Sequence, residues 1–288
     1  MSEIRNVIEL KDVTKDYGDF KLDQVSFAVP EGSVCGFIGQ NGAGKTTTIN
    51  LILNAIKKDS GEITVFGEKV EGESAHLRED IGVVFDEMGF HEFMTGCDIN
   101  LMMKHIYKNW DEKAFFEYLR KFSLPSKKKC GSFSRGMRMK LQIAVALSHH
   151  AKLLIMDEPT SGLDPIVRNE MIHIFREFVL EEDHTILLSS HITSDLEKLA
   201  DEVVFINGGK IILSGNKDEI LEKHGILKCK KDEVSTISDS LVVHKEVGTF
   251  GAEVLVNDRQ AAAKLYPNMV IEPAELEQIM IHYVNKKR

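Results

Sequence analysis

Residues 39–47 read Gly39-Gln40-Asn41-Gly42-Ala43-Gly44-Lys45-Thr46-Thr47, a fit to the phosphate-cradling pattern G-x-x-x-x-G-K-[ST]. The apolar run Val34-Cys35-Gly36-Phe37-Ile38 precedes it, as a buried parallel strand requires. Ile49, Leu51, Ile52, Leu53, Ala55 and Ile56 follow, predicting a helix to about residue 57 with a wide apolar face. Strand, glycine loop and helix together aim backbone N–H groups and a helix N-terminus at one anion. In this pattern Lys45 reaches the β- and γ-phosphates and the Thr46 hydroxyl reaches Mg²⁺. With glycine at about 7% of residues, chance supplies on the order of 0.01 such matches in a chain of this length. Nucleotide binding follows from this stretch, whereas the nucleotide and the reaction stay open.

The chain has 288 residues, 43% apolar and 28% charged, enough for one large domain and a small one. A net charge of −9 argues against a non-specific nucleic-acid binder, which needs a basic face. No apolar run reaches the roughly 18 to 20 residues that span a bilayer. Met1-Ser2-Glu3-Ile4-Arg5 lacks a signal-peptide core, so a cytoplasmic location is expected. Cys35, Cys97, Cys130 and Cys229 show no paired spacing and read as reduced thiols.

Strand patterns recur around Val7–Val13, through Phe20, Leu22, Val25, Phe27 and Val29, at Ile63–Phe66 and at Ile81–Phe85. From about 90 to 150 the pattern turns helical. Thr95 or Asp98 is the candidate cap of one helix, Asp111 of a second, and Ser134 precedes a third. The α/β alternation then resumes. Leu153–Met156 is a buried strand, Pro165 to about Glu182 a helix and Thr185–Ser189 a strand. A helix through Leu196 and Leu199 comes next, then a hairpin around Asn207-Gly208-Gly209. Strands alternating with helices predict an α/β fold, a parallel sheet with an all-helical insertion between its halves. Beyond residue 218 the pattern weakens to short strands, a helix at 258–265 and a last helix with Pro273 in its first turn. The expected division is 1–218, with a helical subdomain at about 90–150, followed by a small α+β extension at 219–288.

Hydrolysis by a phosphate-loop protein needs a metal-side carboxylate and a group that orients water. Asp157 closes a buried strand, from which a carboxylate reaches the Mg²⁺ shell, and Glu158 next to it can polarise the attacking water. The run continues Pro159-Thr160-Ser161-Gly162-Leu163-Asp164-Pro165. With it, residues 7 to about 218 resemble the ATP-binding-cassette (ABC) ATPases, which implies a mixed sheet core with an antiparallel β part and a helical insertion. The glycine loop resembles their Walker A motif, Leu153–Glu158 their Walker B motif with its catalytic glutamate, and Ser161–Asp164 their D-loop. His191 resembles their switch histidine. Tyr17 stands where that family places the ring that stacks on adenine; on its own it reads equally as the plug of a sheet edge.

Phe133-Ser134-Arg135-Gly136-Met137 occupies the place of the signature LSGGQ. Ser134 and Gly136 match; Phe133, Arg135 and Met137 depart from it. A serine hydroxyl, a glycine backbone and a helix N-terminus still suit a γ-phosphate. Where the family has its Q-loop glutamine this chain has Asp86, a full charge with no donor, expected in the metal shell or, alternatively, capping the next segment. The resemblance implies an ATP- and Mg²⁺-dependent transporter ATPase, closest in its variants to bacterial exporters of drugs, bacteriocins and peptides. It also implies a homodimer or a heterodimer with a paralogous ATPase, separate permease chains, and work at the cytoplasmic face of the cell membrane. The rival is a soluble ABC ATPase of DNA repair or translation. The absence of a coiled-coil split, a tandem cassette and zinc cysteines weighs against it.

If the Tyr17 ring stacks on adenine, Tyr17→Ala weakens ATP binding by roughly 1 to 3 kcal/mol, with GTP affected alike, because stacking does not read base edges. Equilibrium binding of both nucleotides is the check; unchanged affinities would return Tyr17 to a sheet-edge role.

Overall fold

The computed structural model describes residues 5–72, 75–181 and 183–286. It opens with an antiparallel pair, β1 (Asn6–Asp16) and β2 (Lys21–Pro30), whose Ile8, Leu10, Val25 and Val29 are buried. β3 (Val34–Ile38) is buried at every residue and feeds the glycine loop and α1 (Lys45–Ile52). The helix is shorter than its apolar face predicts. Asn54 takes a left-handed conformation at φ 53° and its side-chain amide donates to the Gly72 carbonyl, so the chain leaves the helix there. β4 (Ser60–Val65) and β5 (Glu68–Lys69) complete a four-stranded antiparallel sheet in the order β2-β1-β4-β5.

β6 (Ile81–Val84) leads into the predicted helical insertion: α2 (Gly96–Ile106), α3 (Glu112–Lys121) and α4 (Arg135–Leu147). Both candidate caps of α2 are used. Thr95 is the N-cap and Asp98 returns a bond to its backbone, a capping box. Asp111 and Ser134 cap the other two helices as the sequence predicts.

The chain then re-enters the sheet with β7 (Leu153–Asp157), α5 (Pro165–Phe178), β8 (Thr185–Ser190), α6 (Thr193–Leu199), β9 (Glu202–Asn207) and β10 (Lys210–Asn216). Helix α5 stops before the expected end. His184 donates from Nδ1 to the Phe178 carbonyl at 3.0 Å and stacks on the Phe178 ring, closing the helix; Glu182 lies outside the described residues. The strand order is β10-β9-β3-β8-β7-β6, parallel except for β10, the mixed sheet expected. Its strands are apolar on both faces because both faces are covered. Cys35, Phe37, Leu153, Ile155 and Leu187 face α1 and the antiparallel sheet. Their neighbours Ile38, Leu154, Met156, Ile186 and Leu188 face the helices.

Beyond residue 216 the weak pattern resolves into α7 (Lys217–Lys223), β11 (Gly225–Cys229), β12 (Val242–Val247), β13 (Ala252–Val256), α8 (Arg259–Leu265), β14 (Val270–Pro273) and α9 (Leu276–Asn285). The strands form a third sheet, β12-β13-β11-β14. Pro273 is not in the first turn of the last helix. It ends β14, an edge strand where its missing N–H costs no ladder bond, and α9 starts after the N-cap Glu275. Ala274, Leu276 and Ile279 share one core with Leu196 and Leu199 of α6 and with Ala200 just after it. The Leu276 N–H also donates to the Glu197 carboxylate at 2.8 Å. No helix of the described residues is long and apolar enough to cross a membrane.

Ile279 is 1% exposed in that shared core. Ile279→Ala is expected to cost about 2 to 5 kcal/mol, measured by urea unfolding of the whole chain. A cost near zero would mean that α9 does not pack on α6.

Candidate functional site

The carboxyl ends of β3, β7, β8 and β6 lie side by side, because Ile38 pairs with Ser190, Asp157 with Ser189, and Val84 with Met156. In an open parallel sheet this edge is where ligands bind. The loop from Gly39 to Gly44 crosses it, with Asn41 and Gly42 exposed and Ala43 and Gly44 buried. Two glycines are forced. A Cβ on Gly39 would lie 2.6 Å from the Ile206 carbonyl oxygen; one on Gly44, at φ 114°, would lie 2.8 Å from Leu22. α1 starts at Lys45 with no side-chain cap on Gly44, so its first N–H groups are free to meet an anion.

Lys45 is only 6% exposed and its ammonium is held inside the site. It donates to the Gly39 carbonyl at 2.6 Å and lies 3.1 Å from Glu158 Oε1. That oxygen is buried and has no well-aligned donor, so the contact is an ion pair rather than a formed hydrogen bond. The other carboxylate oxygen, Oε2, lies 2.7 Å from His191 Nδ1. Glu158 itself is left-handed at φ 52°, a conformation uncommon outside glycine that turns its side chain back over the sheet edge. The structure therefore joins Lys45, Glu158 and His191 in one chain of contacts.

Beside it, Thr46 donates from Oγ1 to Asp157 Oδ2 at 2.6 Å, and Ser189 donates to Asp157 Oδ1. A hydroxyl and a carboxylate next to a phosphate cradle are hard oxygen donors, a set that suits Mg²⁺. Thr47, next in α1, is half-buried. Tyr17 sits in the β1–β2 turn with its ring 53% exposed and the Lys15 ammonium 5.5 Å from its centroid, so it plugs no sheet edge. The same turn brings the Phe20 ring against Gly44, which places Tyr17 beside the glycine loop.

Four residues stand apart from this cluster. Ser134 accepts from the Met137 N–H as the cap of α4, and Gly136 packs on Val167 of α5. Asp164 caps α5, accepting from the Ile166 and Val167 N–H groups at 3.1 Å. The Asp86 carboxylate is ion-paired with Arg135 and has no bond to Thr46 or Asp157. Sequence reasoning missed Ser189, a polar end to an apolar strand whose register alone gives it away. It also missed the buried Asp195, which takes a forked bond from Arg168 Nε at 2.7 and 2.8 Å and a bond from Thr160 at 2.7 Å. Asp195 reads as an ordinary acidic residue in a first helical turn; its partners lie on other elements. Together they tie the loop after Glu158 to α5 and to α6, the helix that follows His191.

Residues 22–161 match the family model described as ABC transporter. The bacitracin transport ATP-binding protein BcrA of Bacillus licheniformis is 40% identical over 72% of this chain and 68% of its own length. The linearmycin resistance ATP-binding protein LnrL of Bacillus subtilis (strain 168) is 32% identical over 82% of this chain and 78% of its own. Among solved structures, cbiO1 from Clostridium perfringens, part of the ABC transporter complex cbiONQ, superposes with a TM-score of 0.65. It is 25% identical and covers 75% of this chain and 90% of that one. With the glycine loop, the Asp157–Glu158 strand end and His191 gathered at one sheet edge, the chain belongs to the ATP-binding ATPases of the ABC transporter family.

Proposed function

We propose that this chain is the ATP-hydrolysing subunit of an exporter of drugs or peptides, working as a dimer on separate permease chains at the cytoplasmic face of the membrane. The observation that carries the catalytic part is the Lys45–Glu158–His191 chain of contacts. A buried ammonium needs anionic or carbonyl partners, and here it borrows Glu158 and Gly39. A triphosphate over the loop offers Lys45 better partners and releases the Glu158 carboxylate. Glu158 then faces the γ-phosphate as the group that takes a proton from the attacking water. His191, bonded to it, holds its orientation and contacts the phosphate.

Thr46 and Asp157 would hold Mg²⁺, which neutralises charge on the β- and γ-phosphates when bound. Tyr17 stacks on adenine from the adjoining turn. Ser134, Gly136 and the N-terminus of α4, remote from the subunit's own glycine loop cluster, serve the nucleotide of the second ATPase subunit. Asp164 holds the start of α5 at the same face. Residues 219–288 act as an accessory unit docked on α6. Export is supported by the relatives named for bacitracin transport and linearmycin resistance. A DNA-repair or translation role has no comparable support.

Glu158→Gln keeps the shape but not the basicity of the side chain. It should bind ATP, lose about two to four orders of magnitude in turnover, and accumulate an ATP-bound dimer on size-exclusion chromatography. Turnover near that of the natural protein would remove Glu158 from the mechanism. Affinity purification from native membranes tests the transport part, since a permease should come with the chain.

A further inference from the structure

Two of the departures from the family pattern, Asp86 and Arg135, are in contact with each other. The Asp86 carboxylate and the Arg135 guanidinium form an ion pair between the end of β6 and the N-terminus of α4. Arg135 also lies against Gly162, where an added Cβ would sit 3.0 Å from its Nη1. Two helical turns along α4, Gln142 accepts from the Phe85 N–H at 3.2 Å and donates to the Phe85 carbonyl at 3.0 Å. That double bond fixes the distance between the residue next to Asp86 and the helix that carries Arg135.

The charges at this corner explain why Asp86 is needed. The first turn of α4 holds Arg135 and Arg138 and no acidic residue. Arg138 donates to the Phe133 and Gly131 carbonyls, whereas the Arg135 guanidinium adds to the positive end of the helix dipole, an arrangement that favours a nearby anion. Asp86 is that anion in the structure, supplied from a different element.

We infer that Asp86 is the resident counter-anion of Arg135, and that a nucleotide phosphate arriving at the N-terminus of α4 takes its place. The inference rests on the reading above that this helix end meets the nucleotide of a second subunit. The guanidinium fork fits carboxylate and phosphate oxygens alike, so the two compete for one donor set. Asp86 is then a positioning residue that sets how readily the second subunit's nucleotide is gripped, and not a metal ligand. Arg135, out of place in the family pattern, becomes a phosphate contact in reserve. Both side chains are about half exposed, so breaking the pair changes stability little and the variants should fold.

The test uses the full chain carrying Glu158→Gln, titrated with ATP and Mg²⁺, with the dimer fraction read by size-exclusion chromatography and light scattering. Asp86→Asn removes the competing charge and should lower the ATP concentration at half-assembly by about two- to fivefold, the range a half-exposed pair can supply. Arg135→Gln should raise it. The double variant should match Arg135→Gln alone, because Asp86 acts only through the guanidinium. Thermal melting should move little in any of them, so that the shifts in assembly do not come from unfolding.

If Asp86→Asn raises both the half-assembly point and the Mg²⁺ requirement, Asp86 is a metal ligand and the inference falls. If its effect persists with Arg135→Gln, Asp86 acts on something else and the inference falls. Ser134→Ala separates the two levels. If it weakens assembly while Asp86→Asn changes nothing, the helix end meets nucleotide and only the counter-anion role is wrong. If neither Ser134→Ala nor Arg135→Gln shifts assembly, or no dimer forms at any ATP concentration, the reading of α4 and the inference fail together.

Discussion

Lys45 is almost fully buried, and a buried ammonium that lacked partners would lose its charge or unfold its surroundings. Everything near it serves to hold that charge ready for an anion. The glycine loop places the Gly39 carbonyl within 2.6 Å, β7 delivers Glu158 on a left-handed turn, and β8 delivers His191 against the far side of that carboxylate. Three segments far apart in the chain meet because their strands are neighbours in one parallel sheet. The sheet stays rigid because both its faces are buried, one under α1 and the antiparallel sheet, the other under the helices.

The helical insertion packs its apolar face on the sheet through α4 and also meets the catalytic edge through polar contacts: Gln142 on the Phe85 backbone, and Arg135 between Asp86 and Gly162. Such contacts are directional and individually weak, so they can exchange partners where a packed core cannot. The opposite flank is fixed more firmly. Asp195, 1% exposed, gathers Arg168 and Thr160 and binds α5, α6 and the loop after Glu158 into one unit. Helix α9 packs on that same α6 and in turn against β12 of the C-terminal sheet.

Much of the molecule was legible in the amino-acid sequence, and for local reasons. The phosphate loop, the strand ending in Asp157 and Glu158, and the caps Asp111 and Ser134 depend on a few consecutive residues, so spacing and residue type identify them. Helix ends were less legible: α1 stops at a left-handed Asn54, and α5 at a bond from His184, which lies outside the helix. Pro273 illustrates the same limit. A proline suits a first helical turn and an edge strand equally well, and only the pairing of β14 with β11 decides between them.

The sequence by itself determined that a phosphate-binding loop is present, that the chain is built as an α/β cassette with a helical insertion, and which residues are chemically able to act. Tertiary structure decided which of them meet. It put Lys45, Glu158 and His191 in contact, set Ser189 behind Asp157, and turned Asp86 away from Thr46 toward Arg135. Those outcomes hang on strand order and register, which arise from long-range packing of apolar faces. A linear pattern carries the faces but not the order in which they stack.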